Sequence, residues 1–352
     1  MGNFKYAVAV AAVALAVVAC SDDDSSGDAG SATTDAPDIT EAPETTVAAE
    51  TTMAAETTMP AVETTSAPAS EGVDLSDLFV SATDLEASIA CGEPGDGGTI
   101  LLVHGTGTTP AEAFGPSLAA TLPSFDYEVC TVELPGRSTG DIQDSTEYVV
   151  GAVRTITDRT GEPLSIVAHS QGVLQSRGAV AFWPDVADQV SMIVAVGGPN
   201  AGTPAVEALC AEGCVPALWQ MTPGSALLTA LDAAWAESSV PVTAVRTLTD
   251  EFIPPESAAA IPDATVVTIQ DWCPDRAVSH AAQLIDPIGH AGIVSALANR
   301  GTAQETDIEA VGCDETVVAG GDLAAIDQAA ADAFGSVLGG EFVDAEPPMR
   351  FG

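Results

Sequence analysis

Residues 164–172 read Leu164-Ser165-Ile166-Val167-Ala168-His169-Ser170-Gln171-Gly172. A strand-length apolar run leads into a serine bracketed by small residues, and a stretch with helical character follows. That order fits a sharp strand-to-helix turn that leaves the serine hydroxyl exposed at the carboxyl edge of a sheet. Small residues are needed two before and two after the serine, because other backbone passes close there; Ala168 and Gly172 fill those places, Ala168 where glycine is commoner. Working outward, similar apolar runs recur at 99–103, 127–132, 191–196, 242–248 and 265–269. Between them lie segments with helical spacing, such as Val149, Val153 and Ile156, then Leu227, Leu228, Leu231 and Trp235. Continuous rather than alternating apolar strands indicate a parallel sheet covered on both faces, so the expected class is α/β.

A serine hydroxyl is a weak nucleophile near neutral pH and needs a base, with a third group to orient that base. The chain has four histidines. His104 sits in the turn after residues 99–103 and His169 adjoins the serine, so both are expected to point elsewhere. His290, in Ile288-Gly289-His290-Ala291-Gly292, reads as a loop residue just before a helix and is the expected base; His280, in a polar stretch, is the alternative. For the acid, Asp250 follows the run 242–248 and so stands at a strand's carboxyl end. Glu251 would point the other way if the strand register continued, and Asp286 lies too near His290 in sequence. The order Ser170, Asp250, His290 is that of α/β-hydrolases. Donors for a developing oxyanion are expected from the Thr106 backbone N–H, in His104-Gly105-Thr106-Gly107, and from Gln171, with the Thr106 hydroxyl as a third. A phosphate loop is excluded at 104–109, since no Gly-Lys-Ser/Thr follows.

Composition narrows the partners. Among 352 residues, 9 Lys+Arg face 51 Asp+Glu, a formal charge of −42 with 46% hydrophobic residues, so a core is expected and a basic nucleic-acid face is excluded. Anionic substrates are repelled at long range, which favours a neutral one. Residues 1–19 carry one positive charge, Lys5, and an apolar run too short to span a bilayer comfortably, as in a signal peptide. Val17-Val18-Ala19-Cys20 looks like a bacterial lipobox, whose Cys is acylated after cleavage just before it. Residues 20–72 then form a Thr/Ala/Glu/Pro-rich tether with no basic residue, expected to be disordered and a candidate for O-glycosylation. Residues 73–352 make one large domain whose own charge, −31, suits a saline habitat where screening is strong. Assigning Cys20 to the anchor leaves six of seven cysteines, an even number suited to an oxidising compartment.

From about residue 90 onward the chain resembles the B-type lipase family, the group of Candida antarctica lipase B. The resemblance rests on Leu101-Leu102-Val103-His104-Gly105-Thr106-Gly107-Thr108-Thr109, Ser170-Gln171-Gly172, the segment 219–231, Thr249-Asp250-Glu251 and His290-Ala291-Gly292. It implies an α/β-hydrolase fold, a mostly parallel central sheet with helices on both faces. It also implies Ser170 as nucleophile with Asp250 and His290, Thr106 and Gln171 as oxyanion hole, and disulfides Cys91–Cys130 and Cys273–Cys313. Cys210 and Cys214 have no counterpart and are expected to form a small local bridge. His169 replaces the family's Trp before the nucleophile, and residues 197–203 look like the small-residue turn of bacterial lipases, so stereopreference and acyl length do not carry over. The expectation is a surface-tethered carboxylic ester hydrolase, a lipase or esterase with no cofactor or metal, acting as a monomer on an ester or lipid. It would reach the membrane through Cys20 on the outer face of a bacterial cell. The alternative is a hydrolase-fold binding module with little turnover.

Overall fold

Neighbouring residues along each central strand enter different apolar layers, which is why the strands read as unbroken hydrophobic runs. Leu101, Val103, Ile166, Ala168, Ile193 and Ala195 pack into one core cluster. Their neighbours Ile100, Leu102, Val167, Val194 and Val196 pack into another. A side chain alternates faces at each step of a strand, so a sheet covered on both sides must be apolar at every step. Fully burying one such Leu, Ile or Val is worth about 1.5–3 kcal/mol.

The computed structural model describes residues 75–351, all within the second of two units, 1–66 and 67–352, into which the chain divides. The expected leader 1–19, the anchor Cys20 and the tether 20–72 lie outside the described residues. Seven strands form one sheet: β1 (Ile89–Cys91), β2 (Thr99–Val103), β3 (Glu128–Val132), β4 (Leu164–His169), β5 (Val190–Val196), β6 (Val242–Arg246) and β7 (Thr265–Thr268). Their order is β1-β3-β2-β4-β5-β6-β7. Only β1 runs antiparallel to its neighbour. The longest run expected from sequence, 242–248, stops as a strand at Arg246, so Asp250 stands beyond the sheet and not at its last rung. β1 carries no sequence signal, being three residues long and largely exposed.

Five longer helices matter below: α1 (Ile142–Thr160), α2 (Gly172–Phe182), α3 (Ala226–Trp235), α4 (Pro287–Ala298) and α5 (Leu323–Gly339). α1 begins at Asp141, whose side chain accepts the Gln143 N–H, and ends at Gly161 in the left-handed conformation. Val149, Val153 and Ile156 of α1, Val173 and Ala179 of α2 and Trp235 of α3 join the first cluster, while Ile288, Ile293 and Ala296 of α4 join the second. Helices thus lie on both faces. Disulfides join Cys91 to Cys130, Cys210 to Cys214 and Cys273 to Cys313. Among the described residues, no helix is long and apolar enough to cross a membrane.

Candidate active site

The turn from β4 into α2 places Ser170. It has φ 56°, a left-handed value that a non-glycine residue adopts only when its surroundings impose it, and its N–H donates to Val196 O at 2.9 Å. Two glycines make room for this turn. A Cβ on Gly172 would lie 2.3 Å from Val103 O, and one on Gly105 would lie 2.7 Å from Ser170 Cβ. The backbones after β2 and β4 therefore touch, bringing the 104–107 loop to the serine.

Asp250 lies beyond the end of β6, and the histidine that bonds it is His280, not His290. Asp250 Oδ1 accepts the backbone N–H groups of Phe252 (2.9 Å) and Ile253 (2.8 Å), while Oδ2 accepts Gln283 Nε2 (2.9 Å) and His280 Nδ1 (2.8 Å). Burial alone would raise the carboxyl's pKa, but the hydrogen bonds and charge of His280, with the two backbone donors, outweigh it and hold Asp250 below its ordinary range. The bond from Nδ1 to a carboxylate puts the proton of a neutral His280 on Nδ1 and the ring's lone pair on Nε2.

His290 is corrected accordingly. It lies inside α4, not in a loop before it, because Asp286 caps that helix by accepting the Ile288 and Gly289 N–H groups and Pro287 takes its first position. Its Nε2 is 2.8 Å from Thr121 Oγ1 and its ring is 6.0 Å from Phe125, with no carboxylate partner among the described residues. Burial lowers its pKa to about 4. The Asp286-Pro287 pair was the available signal that the helix starts three residues earlier.

Several contacts were not legible in the sequence. Three successive residues of one loop hold two residues of another: Thr249 Oγ1 accepts the Val278 N–H at 2.8 Å and donates to Val278 O at 2.9 Å, Asp250 holds the His280 ring, and Glu251 Oε2 accepts the His280 backbone N–H at 2.8 Å. Glu251 stays exposed but reaches His280 because the strand has already ended. His169 also faces the site: its Nε2 donates to His280 O at 3.2 Å, and the two rings lie 4.8 Å apart. Burial, then the nearby His280, lowers its pKa to about 3, so it stays neutral. His104 is structural. Its Nε2 accepts the Leu134 N–H at 3.0 Å, which puts the proton on Nδ1, facing Gly105 O at 3.0 Å, and burial takes its pKa to about 4.

Ser170, His280, His169, Gly105 and Thr106 line one cavity of about 170 Å³. Its other walls are mostly apolar, with Leu209 and Phe252 part-exposed and Ala329, Ala333 and Phe334 contributed by α5. The Thr106 hydroxyl is buried there with no protein partner among the described residues. Gln171 stands at the N-terminus of α2, where backbone N–H groups and the helix dipole favour negative charge. A larger, more open cleft of about 680 Å³, lined by Asp77, Arg154, Asp158, Glu162 and Asp185 among others, contains none of the expected site residues. Among the described residues, Cys91, Glu128 and Cys130 have metal-ligand proximity, but the two sulfurs are joined and Glu128 pairs with Arg159 at 2.9 Å.

Lipase B of Pseudozyma antarctica is 30% identical over 226 residues, covering 61% of this chain and 66% of that protein. The chain thus spans just under two thirds of that relative. The crystal structure of Aspergillus fumigatus lipase B superposes with a TM-score of 0.71 at 22% identity, over 81% of this chain and 76% of that one, a likeness of fold. The model of the alpha/beta hydrolase family matches residues 100–336. With its sheet order, its strained serine turn and this match over most of its length, the chain belongs to the α/β-hydrolase family.

Proposed function

We propose that the protein hydrolyses carboxylic esters, as a lipase or esterase, through a Ser170–His280–Asp250 triad and an acyl-enzyme. The observation that carries this reading is the 2.8 Å bond from His280 Nδ1 to a buried Asp250 at a cavity that Ser170 also lines. Ser170 Oγ attacks the ester carbonyl carbon as its proton passes to His280 Nε2, and Asp250 stabilises the imidazolium that forms. The carbonyl oxygen becomes an oxyanion, held by the backbone N–H groups of Thr106 and Gln171 and by the Thr106 hydroxyl. When the intermediate collapses, the C–O bond to the alcohol breaks and His280 returns the proton to the leaving oxygen. Water, deprotonated by His280, then attacks the acyl-serine; the acid departs and Ser170 regains its proton.

Apolar walls and an acidic domain favour a neutral ester with a hydrocarbon acyl group. The test is release of p-nitrophenol from esters of increasing acyl length by the full chain and by Ser170→Ala. Equal rates across the series would remove the enzyme reading, and a preference for long chains in emulsion would favour lipase over esterase. The sequence of residues 1–72 supports export and lipid attachment at Cys20, with the tether holding the domain off the membrane. Cys20→Ala is expected to move the protein from the membrane fraction to the medium; retention of the variant in the membrane would overturn the anchor.

A further inference from the structure

An oxyanion hole works only if its donors keep their separation, and here they sit on different segments: Thr106 beyond β2 and Gln171 beyond β4. A third segment, Gly136-Arg137-Ser138 beyond β3, touches both. All three of its residues are left-handed, at φ 56°, 57° and 57°, and two of them carry side chains that disfavour this conformation. Such a run persists only where surrounding contacts impose it. The contacts are specific. Arg137 takes both backbone polar groups of Gly107: its carbonyl accepts the Gly107 N–H at 2.7 Å, and its Nε donates to Gly107 O at 2.8 Å. Arg137 Nη2 also donates to Glu112 Oε2 at 2.5 Å, and that oxygen accepts the Thr109 N–H at 2.9 Å, so the loop is gripped on both sides of Thr108. The next residue reaches the other way. Ser138 Oγ donates to Gln171 Oε1 at 2.5 Å and accepts from Gln175 Nε2 at 2.8 Å, with Ser138, Gln171 and Gln175 all fully buried.

We propose that residues 136–138 brace the oxyanion hole, with Arg137 and Ser138 as positioning residues that fix the Thr106 loop and Gln171 relative to each other. The proposal rests on the ester-hydrolase reading given above. Its physical basis is that adjacent residues of one strained turn bond directly to the two donor segments, and that the Ser138 link lies in a fully buried network where a shifted partner would leave polar groups unpaired. The Arg137 link is half-exposed, so its force comes from geometry: a planar guanidinium can reach Gly107 O and Glu112 together, whereas a lysine ammonium is a single point charge.

The experiment compares full-length wild type with Ser138→Ala, Ser138→Gly, Arg137→Lys and Arg137→Ala on a p-nitrophenyl ester. It also measures inhibition by a trifluoromethyl ketone, whose serine adduct places an oxyanion in the hole. A brace predicts that kcat falls about tenfold to a hundredfold for each variant while KM stays within about twofold. It also predicts that ketone affinity weakens by the same factor as kcat/KM. Combining Ser138→Ala with Thr106→Val should cost less than the product of the two single losses, because both act on one hole. Ser138→Gly removes the hydroxyl while relieving the left-handed strain, which keeps the test valid if Ser138→Ala folds poorly. Rates and ketone affinities within about twofold of wild type in Ser138→Gly and Arg137→Lys would overturn the brace, as would multiplicative losses in the double variant. In either case a wild-type rate that still depends on Ser170 leaves the hydrolase reading standing, whereas a wild-type rate no greater than that of Ser170→Ala would sink that reading itself.

Discussion

His280 and His290 lie ten positions apart and both are mostly buried, yet they occupy opposite chemical situations. His280 sits on a loop, gives Nδ1 to a carboxylate and lines the cavity that holds Ser170. His290 sits inside a helix, faces a threonine hydroxyl and a phenylalanine, and has only burial acting on its pKa. The lesson is that an imidazole becomes a base through an acid behind it and an open nitrogen in front. The sequence around it is a weaker guide.

Replacing each histidine in turn is the most direct way to break this contrast. His280→Ala is expected to lower kcat by roughly a million-fold on ester substrates, as loss of a triad base does elsewhere, while His290→Asn should change it less than about threefold. The reverse pattern in steady-state kinetics would restore His290 as the base. Asp250→Asn sharpens the contrast: it keeps the shape but disturbs the His280 tautomer, and a fall of about ten-thousand-fold is expected with KM little changed. Thr106→Val removes a single oxyanion donor and should cost about a hundredfold in kcat, with melting temperature as the control for folding.

The smallest effect concerns stability and acid. His104, His169 and His290 would each titrate near pH 6.5 in the unfolded chain but at about 4, 3 and 4 when folded. Their folded pKa values are depressed, so the folded state carries no penalty above pH 6.5 and loses stability as pH falls from there towards 4. Each such buried imidazole accounts for about 3 kcal/mol by pH 4. The loss contributed by Asp250 begins later, because its depressed pKa matters only below its ordinary carboxylate range. His290→Asn should flatten the fall in melting temperature between pH 6.5 and 4 relative to wild type. An unchanged slope would show that His290 is not kept neutral by burial.

Much of the fold was legible because a two-sided sheet writes itself as continuous apolar runs, and the serine turn was legible because its small residues meet other backbone at close range. Asp250 stood out as the first acid after an apolar run, and its carboxylate lies 2.8 Å from His280 Nδ1. His290 was placed wrongly because it read as a loop residue just before a helix, although Asp286-Pro287 upstream marks the helix start that puts His290 inside it. Glu251, Gln283, Arg137 and Ser138 left no local trace. Their roles come from contacts across 25 to 33 positions of chain, such as Gln283 on Asp250 and Ser138 on Gln171, which no pattern of neighbours encodes.

The stitch between residues 249–251 and 278–280 makes the intervening chain a closed excursion. Most of its contents are themselves held: β7 lies in the sheet, Cys273 is in a disulfide, Gln270 bonds Thr247 and Leu248, and residues 252–258 are tied to Asp250, Asn200, Thr203 and Arg246. Lengthening its exposed turn at Pro262-Asp263 costs little, since each doubling of a flexible loop adds only about 0.6 kcal/mol of closure entropy. Asp250 and His280 can therefore keep their 2.8 Å contact while that turn lengthens. In this architecture the chain between Asp250 and His280 can grow at that turn, away from the Phe252 and Ile253 N–H groups that bond Asp250.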